Sequence, residues 1–229
     1  MSTFVIVKVN KFFEKNYIVP TQQDLLQENG YQETKIELFL ENAFEAFDAY
    51  SCHFDRKINK RIKIKHDEFY DHYYDPSDFF LYYNSKSEIA IINTSHDTAK
   101  LFCNQLNEHK NFKLELMEFN LHEIIDRISD VNGLWISDIK EMNLSSAGYF
   151  GTDVHRNQKA EELIKEAKIS SISASFTSRK FSRSYNVLIS KKGVIVTHEK
   201  MAGPYDAVAL TNEIFSRLIE PLIKNKVTQ

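Results

Sequence analysis

The sequence predicts an α+β fold, with a mostly antiparallel β-sheet packed against amphipathic helices. Residues 171–176 and 184–190 alternate apolar and polar side chains, which is the pattern of strands that bury one face. Gly193, in the short turn that follows, can adopt the positive φ that such turns require. From Asp206 onward, apolar residues recur at helical spacing. These observations predict a three-stranded antiparallel meander over 169–199, followed by a long C-terminal helix.

Length and composition are those of an ordinary globular protein. A chain of 229 residues forms one large or two small domains, and folding at this length buries roughly 70% of the unfolded chain's surface. Stability therefore needs no disulfide, and Cys52 and Cys103 are expected to be buried free thiols in a reducing compartment. The apolar run at the N-terminus is too short for a signal peptide or membrane span, which predicts a cytoplasmic protein without membrane contact. The net charge of −3 excludes a generally basic, histone-like protein but permits local basic patches.

The strongest apolar and alternating patterns lie in residues 134–199, which we expect to form the centre of the fold. Within it, the sequence predicts a glycine-containing bend at 148–151 and a charged helix over about 152–168. Trp135 and Phe215 lie in the strongest apolar segments of this half and are predicted to share one core. Proline removes a helical hydrogen bond, so Pro221 is expected to kink or end the C-terminal helix. The meander positions expected to face the core are Ile172, Phe176, Val187, Ile189 and either Val194 or Ile195.

The N-terminal third reads as a helix-rich region. Thr34 and Glu37 have the spacing of a capping box, and the apolar residues from Ile36 to Tyr50 recur at helical spacing. A strand over 4–9 and a short helix from Thr21 to Gly30 precede this helix, and Asp75-Pro76-Ser77-Asp78 is predicted to be a turn. We place a domain boundary at that turn, between an N-terminal region of residues 1–75 and an α+β core of residues 78–229. A single continuous domain is the alternative.

Shorter elements are expected between residues 79 and 128. Strands over 79–83 and 89–92 are joined by Asn84-Ser85-Lys86-Ser87, and Asp97 is expected to cap the helix that follows. A strand over 112–119 comes next. Asn120 and Glu123 then form a second capping box before a short apolar helix.

Two candidate sites are weighed against simpler interpretations. On a helix, Glu68, Asp71, His72 and Asp75 would share one face and could bind a cation, but the interleaved tyrosines favour a solvated acidic segment. Glycines at 148 and 151 precede the charged helix, where free N–H groups could hold a phosphate. That loop lacks the lysine of a P-loop, and a structural turn is the preferred interpretation. No catalytic residue, metal ligand or cofactor is assigned.

Two basic-aromatic segments are the strongest functional signal. Cations that can meet phosphates flank an aromatic ring that can stack on a base, a combination typical of nucleic-acid-binding surfaces. The alternative interpretation is that these cations serve solubility and protect strand edges. The candidate nucleic-acid-binding residues are Arg56, Lys57, Lys60, Arg61, Lys63, Lys65, Arg179, Lys180, Phe181 and Arg183.

The sequence therefore favours a non-enzymatic binding or accessory protein. A protein partner or a second copy of the chain is one expected partner, and DNA or RNA bound through its phosphate backbone is the other. The alternative is a metal-dependent enzyme acting on nucleic acid or another phosphate-bearing substrate. Salt dependence separates the two kinds of binding, because phosphate contacts weaken steeply with ionic strength whereas an apolar interface does not.

Overall fold

The computed structural model describes residues 1–19, 33–65, 68–141, 143–166 and 168–227. They divide into two compact units. The N-terminal unit comprises Val7–Glu115, and the C-terminal unit comprises Met1–Ile6 together with Leu116–Gln229. Antiparallel strands predominate in both, so the α+β class expected from the sequence is confirmed. Among the described residues, every helix is too short or too polar to span a bilayer.

The N-terminal unit is a sheet with one helix. Strands β2, β3, β4, β7 and β8 pair antiparallel in that order, and β8 lies next to β1. β9 also pairs with β1, and β5 pairs with β6 as a separate hairpin. The elements are β1 (Ser2–Lys11, whose first residues belong to the C-terminal unit), β2 (Tyr17–Ile18), β3 (Thr34–Phe44), β4 (Phe47–Ile58), β5 (Ile62–Lys65), β6 (Glu68–Tyr70), β7 (Tyr73–Asn84), β8 (Ile89–Ile92), α1 (His96–Asn107) and β9 (Lys113–Leu116).

Helix α1 covers the buried face of this sheet. Its Phe102 ring lies edge-on to Phe54 and Phe79, with centroid distances of 5.9 and 5.0 Å. Ser95, and not the predicted Asp97, is the N-cap, because the Ser95 side chain accepts a hydrogen bond from the Thr98 N–H. Both cysteines are buried free thiols, as expected, and burial raises their pKa values, that of Cys103 to about 12.

The helix predicted from Thr34 to Tyr50 is wrong. The segment is instead the β3–β4 hairpin, with register shifts after Leu38 and Leu40 and a positive φ at Asn42. Each bulge moves the apolar residues to the other face of the strand, so the alternation loses its period of two and imitates helical spacing. Phe39 is left 60% exposed where the predicted helix would have buried it.

Two further predictions in this region are wrong. Residues 75–78 are strand within β7 and not a turn, because Pro76 lies opposite Asp55 of β4 in a continuous antiparallel ladder. The acidic cluster that was weighed on a helix face lies instead on β6, on β7 and in the turn between them. The helix expected from Thr21 to Gly30 lies outside the described residues, and the domain boundary placed near 75–78 stays a prediction.

The C-terminal unit is a second sheet with helices. Its strands are ordered β11-β10-β12-β13-β14-β1, and every neighbouring pair is antiparallel. The elements are α2 (Leu121–Ile125), β10 (Val131–Glu141), β11 (Leu144–Phe150), a 3₁₀ turn (Val154–Arg156), α3 (Gln158–Glu166), β12 (Lys168–Ser178), β13 (Arg183–Ser190), β14 (Val194–Thr197), α4 (Asp206–Ile214), a π-helical turn (Phe215–Ile219) and α5 (Glu220–Val227).

Three details of this unit differ from the sequence predictions. The segment expected to bend at 148–151 continues as β11 to Phe150, and the charged helix begins only at Gln158. The Asn120 side chain does not cap α2 but donates from Nδ2 to Glu123 Oε1. Pro221 does not end the helix: a π-helical turn, Phe215–Ile219, precedes it, and the helix continues as α5 to Val227.

The sheet of the C-terminal unit has a buried inner face and an accessible outer face. Ile172, Phe176, Val187 and Ile189 are all buried on the inner face, as is Phe215 of the helical layer. Trp135 does not belong to this core, contrary to the prediction. It alternates with the buried Leu134 and Ile136 and therefore lies, half-buried, on the outer face.

Three strands and the following helix have the same topology in both units, which the sequence did not reveal, although the elements that precede them differ. In the C-terminal unit β12, β13 and β14 follow one another antiparallel and lead into α4. In the N-terminal unit β4, β7 and β8 do the same and lead into α1. The β12–β13 hairpin and the β4–β7 hairpin are therefore topologically equivalent.

Candidate nucleic-acid interface

The tip of the β12–β13 hairpin, called here the C-terminal tip (residues 179–183), is held by one carboxylate. Glu213 of α4 accepts hydrogen bonds from the Arg179 N–H at 2.7 Å and from Ser178 Oγ at 2.5 Å. Ser178 Oγ in turn accepts from the Phe181 N–H at 3.1 Å, which closes the turn. The turn backbone is thus fixed by hydrogen bonds to the Glu213 and Ser178 side chains, while the charged side chains of the turn are exposed.

The negative charge of Glu213 is paired with a cation of the same unit. Arg217, one helical turn further on, donates to Glu213 Oε1 at 2.8 Å and to the Thr177 carbonyl oxygen at 2.9 Å. Burial alone would raise the pKa of the Glu213 carboxyl, but the hydrogen bonds from Ser178, the Arg179 N–H and Arg217 outweigh burial and lower it. The carboxylate is therefore ionised and pairs with the Arg217 guanidinium.

The tip presents three exposed cations beside aromatic rings. Arg179, Lys180 and Arg183 are exposed, and the Phe181 ring is half-buried. The Lys180 ammonium lies 5.8 Å from the Phe181 ring centroid, and the Arg183 guanidinium lies 4.8 Å from that of the buried Tyr185. These contacts orient the cations without removing them from water.

The equivalent hairpin of the N-terminal unit carries the second basic segment, called here the N-terminal tip (residues 56–72). The strands β4 and β7 pair as far as Ile58 and Tyr73, and the small β5–β6 hairpin extends beyond them. The Arg61 guanidinium and the Lys63 ammonium lie 4.5 and 5.5 Å from the centroid of the Phe69 ring, which is 49% exposed. This tip also combines cations with an accessible aromatic ring.

Acidic residues neutralise part of the N-terminal tip. Arg56 Nη2 donates to Asp75 Oδ2 at 2.8 Å, so this guanidinium has a partner within the unit. Lys57, Lys60 and Arg61 are exposed. The N-terminal tip is therefore a mixed surface, whereas the C-terminal tip is uniformly cationic.

Each of the two basic segments predicted from the sequence thus lies at the tip of one hairpin. Residues from Arg56 to Lys65 belong to the N-terminal unit, and Arg179, Lys180, Phe181 and Arg183 belong to the C-terminal unit. Sequence reasoning missed Glu213, which organises the C-terminal tip from a helix 34 residues further along the chain. No local pattern signals such a long-range hydrogen bond.

Sequence reasoning also missed an aromatic pair on the outer face of the C-terminal unit. The rings of Trp135 and Phe150 meet edge to face with centroids 5.1 Å apart, and Phe150 is 68% exposed. Each ring lies over a glycine of its own strand. A Cβ at Gly133 would come within 3.1 Å of the Trp135 ring, and one at Gly148 within 3.0 Å of the Phe150 ring. The shared spacing, Gly-x-Trp and Gly-x-Phe, was the available signal, because residues two apart on a strand share a face.

Evidence for catalysis is sparse among the described residues. No three His, Cys, Asp or Glu side chains lie together in a way that could hold a metal ion. A cleft of about 370 Å³ in the C-terminal unit is lined by residues that include Glu118, His122, Lys168 and Lys191. Lys168 already pairs with Asp138, their side-chain N and O atoms being 2.8 Å apart. The cleft thus offers mixed charges without a defined nucleophile and base.

No known protein family and no curated protein sequence matches this chain.

Proposed function

We propose that the protein is a non-enzymatic binding protein whose two basic hairpin tips contact the phosphate backbone of nucleic acid independently of sequence. One observation carries the proposal. The two basic-aromatic segments lie at the tips of topologically equivalent hairpins, one in each unit. A purely solubilising role would not require the cations to concentrate at the same point of a repeated topology.

The geometry of the C-terminal tip supports phosphate binding in particular. Its backbone is fixed by Glu213, so the turn loses little further backbone freedom when a ligand binds, and only the side chains of the cations have to be ordered. Arginine is well suited to the task because its planar guanidinium can donate two hydrogen bonds to one phosphate. The described residues of both tips lie in strands and turns, with no helix among them that could enter a groove, so the proposed contact is with the backbone and not with base edges.

A salt series tests the proposal. Binding of a fluorescent duplex and of a fluorescent single strand is measured for the wild type and for Arg179→Ala/Lys180→Ala/Arg183→Ala. Each lost phosphate contact should reduce the magnitude of the slope of log K against log salt by about 0.9 for the duplex and about 0.7 for the single strand, so the triple variant should lose about three and about two, respectively.

The matched control is Lys159→Ala/Lys165→Ala/Lys200→Ala, which removes three exposed cations of the same unit without touching the tip. This control has the same net charge as the tip variant and should keep the wild-type slope. Affinity that is insensitive to salt, or equal loss in both triple variants, would contradict the proposal.

Contact with a second copy of the chain is the other candidate, and strand β11 favours it. β11 lies at the end of the strand order, and its seven residues, Leu144–Phe150, include no charged side chain or proline. Natural edge strands usually carry such residues to block pairing with another chain. A dimer seen by sedimentation that persists at high salt and dissociates in Ser146→Lys would support this candidate over phosphate binding.

A further inference from the structure

We infer that the outer face of the C-terminal unit, with Trp135 and Phe150 at its centre, is a stacking surface for the bases of single-stranded nucleic acid. The inference rests on the proposed function, because the cations of the C-terminal tip would hold the phosphates of the same strand. It adds what the tips alone do not supply, which is a preference for single strands over duplex.

The aromatic pair is built to remain accessible. Glycines at 133 and 148 let both rings lie against the sheet, and Phe150 still exposes 68% of its surface. A single exposed ring is common on protein surfaces, and the distinguishing feature here is that two rings meet edge to face, each over a glycine of its own strand, with centroids 5.1 Å apart. Bases stack on such rings without regard to sequence, since every base has a π-face.

The surroundings of the pair suit a nucleotide chain better than an apolar partner. Successive side chains of a strand point to opposite faces of the sheet, so every second residue of β11, β10, β12 and β13 faces outward on the side of the rings. Their hydroxyl and amide groups can donate to phosphate and sugar oxygens. These neighbours are uncharged and mostly polar: Ser146, Ser171, Ser173, Ser175, Thr177, Ser184, Asn186, Leu188 and Ser190.

Charge complementarity connects this face to the tip. Phe150 lies opposite Gly133, and Gly133 lies opposite Ser173 of β12. Ser178 and Arg183, the last pair of the same hairpin, face inward with the buried Phe176 and Tyr185, so Arg183 does not belong to the outer face. The turn begins at Arg179, six residues beyond Ser173 or about 20 Å along β12, and Ser173 lies two strands or about 10 Å from Phe150. About six or seven stacked nucleotides at roughly 3.4 Å each would span the resulting distance of about 22 Å, so one strand of nucleic acid could place bases on the rings and phosphates on the turn residues Arg179 and Lys180.

A duplex could not use the face in the same way. Its bases are stacked on one another, so their π-faces are not available to Trp135 and Phe150. The tip cations can still contact duplex phosphates, because those contacts carry no information about the bases. Duplex binding should consequently be weaker and insensitive to changes at the aromatic pair.

The experiment uses Trp135 as its own reporter, since it is the single tryptophan of the chain. Intrinsic fluorescence is titrated with oligo(dT) of about 12 nucleotides, a length within the site sizes of single-strand-binding folds, and with a duplex of equal length. Binding is followed in parallel by anisotropy of labelled nucleic acid. The single strand should quench the fluorescence of Trp135, and the midpoint of this titration should equal that of the anisotropy curve. The duplex should bind without changing the fluorescence of Trp135.

The variants are Phe150→Ala and, as a matched control, Phe39→Ala, which removes a Phe of the N-terminal unit that is 60% exposed. Phe150→Ala should weaken single-strand binding about tenfold or more while leaving the salt slope unchanged. Phe39→Ala should bind like the wild type. Because Phe150 is exposed, its removal should leave the unfolding transition in place, which is checked by urea denaturation.

Several results would overturn the inference and leave the proposed function standing. These are salt-dependent binding without quenching, equal quenching by duplex, or unchanged single-strand affinity in Phe150→Ala. A dimer that Phe150→Ala dissociates in the absence of nucleic acid would show that a protein covers the face instead. Lack of salt-dependent binding to any nucleic acid would overturn the proposed function and the inference together.

Discussion

The Glu213 carboxylate and the Arg179 backbone N–H, 34 positions apart in the chain, are joined by a 2.7 Å hydrogen bond that fixes the tip of the β12–β13 hairpin on helix α4. The same carboxylate accepts from the buried Ser178 hydroxyl. A basic turn that would otherwise be loose thereby becomes a part of the folded unit. Its stability and its cationic surface depend on one acidic residue.

We expect Glu213→Ala to lower the free energy of unfolding by about 2–4 kcal/mol, because it removes charge-assisted hydrogen bonds and leaves the Ser178 hydroxyl without its acceptor. Urea denaturation measures the change. Glu220→Ala is the control: it breaks the 2.8 Å pair between Glu220 Oε1 and Lys224 Nζ at the surface and should cost less than about 1 kcal/mol. Equal costs in both variants would show that the Glu213 contacts contribute no more than a surface ion pair.

The acid dependence of stability should reveal the same carboxylate. A carboxyl group whose pKa is lowered by folding stabilises the folded state fully above its ordinary pKa of 4.5, and this contribution is lost as pH falls through the lowered value. The difference in unfolding free energy between the wild type and Glu213→Gln should therefore be largest near about pH 7 and shrink in acid. A difference that grows as pH falls below 4.5 would contradict the direction of the shift.

His53 should give a dependence of the opposite sign in the N-terminal unit. Its Nδ1 lies 2.7 Å from Asp78 Oδ1 and its Nε2 lies 3.2 Å from Asp55 Oδ1. The hydrogen bond to Asp78 raises the pKa of His53, with further help from Asp55, against the opposing effect of burial. Its contribution is thus complete below the ordinary pKa of 6.5 and is lost as pH rises through the raised value.

The test compares the wild type with His53→Gln by urea denaturation on both sides of pH 6.5. We expect the wild-type advantage to be less than about 1 kcal/mol, because the pair lies near the surface, and to decrease as pH rises. An advantage that increases with pH would show that His53 is bound in its neutral form.

Gly193 should be among the least replaceable residues of the C-terminal unit. Its φ is +73°, and a Cβ there would stand 2.2 Å from the Met117 carbonyl oxygen. Gly193→Ala should therefore cost about 2–4 kcal/mol, combining left-handed backbone strain with a steric clash. Gly148→Ala is the control, because the clashing atom belongs to the exposed Phe150 ring, which can move aside. Equal losses of unfolding free energy in the two variants would show that the positive φ and the clash with Met117 add nothing to the cost at Gly193.

The alternation in the sequence is easy to read along β12 and β13, because one face of each strand is apolar and no bulge interrupts their register. The β3–β4 hairpin was misread because its bulges displace the alternation, and a single sequence holds no record of where a bulge falls. Phe39, exposed on a strand, supplied one of the apolar positions that imitated a helix.

The candidate site was likewise only partly visible in the sequence. Clusters of cations are local, so Arg179, Lys180 and Arg183 could be recognised as a group. Glu213 could not be connected to them, because the contact depends on how α4 packs beneath the sheet. The position of Trp135 was misjudged since an apolar run does not reveal which of its members faces outward.

If both tips contact phosphates, removing the cations of both tips together should have a larger effect than removing those of either tip alone. The variants are the triple substitution of the C-terminal tip, Lys57→Ala/Lys60→Ala/Arg61→Ala in the N-terminal tip, and the combination of the two. The control set in the N-terminal unit is Lys8→Ala/Lys86→Ala/Lys100→Ala, all exposed cations outside the tip.

The measurement is the slope of log K against log salt for a fluorescent single strand, which counts the phosphate contacts of each variant. Each triple variant should reduce the magnitude of the slope by about two, because each contact with a single-strand phosphate contributes about 0.7, and the combined variant should reduce it by about the sum of the two. The control set should leave the slope unchanged. A wild-type protein that does not bind at low salt, or a combined variant with the wild-type slope, would contradict the claim.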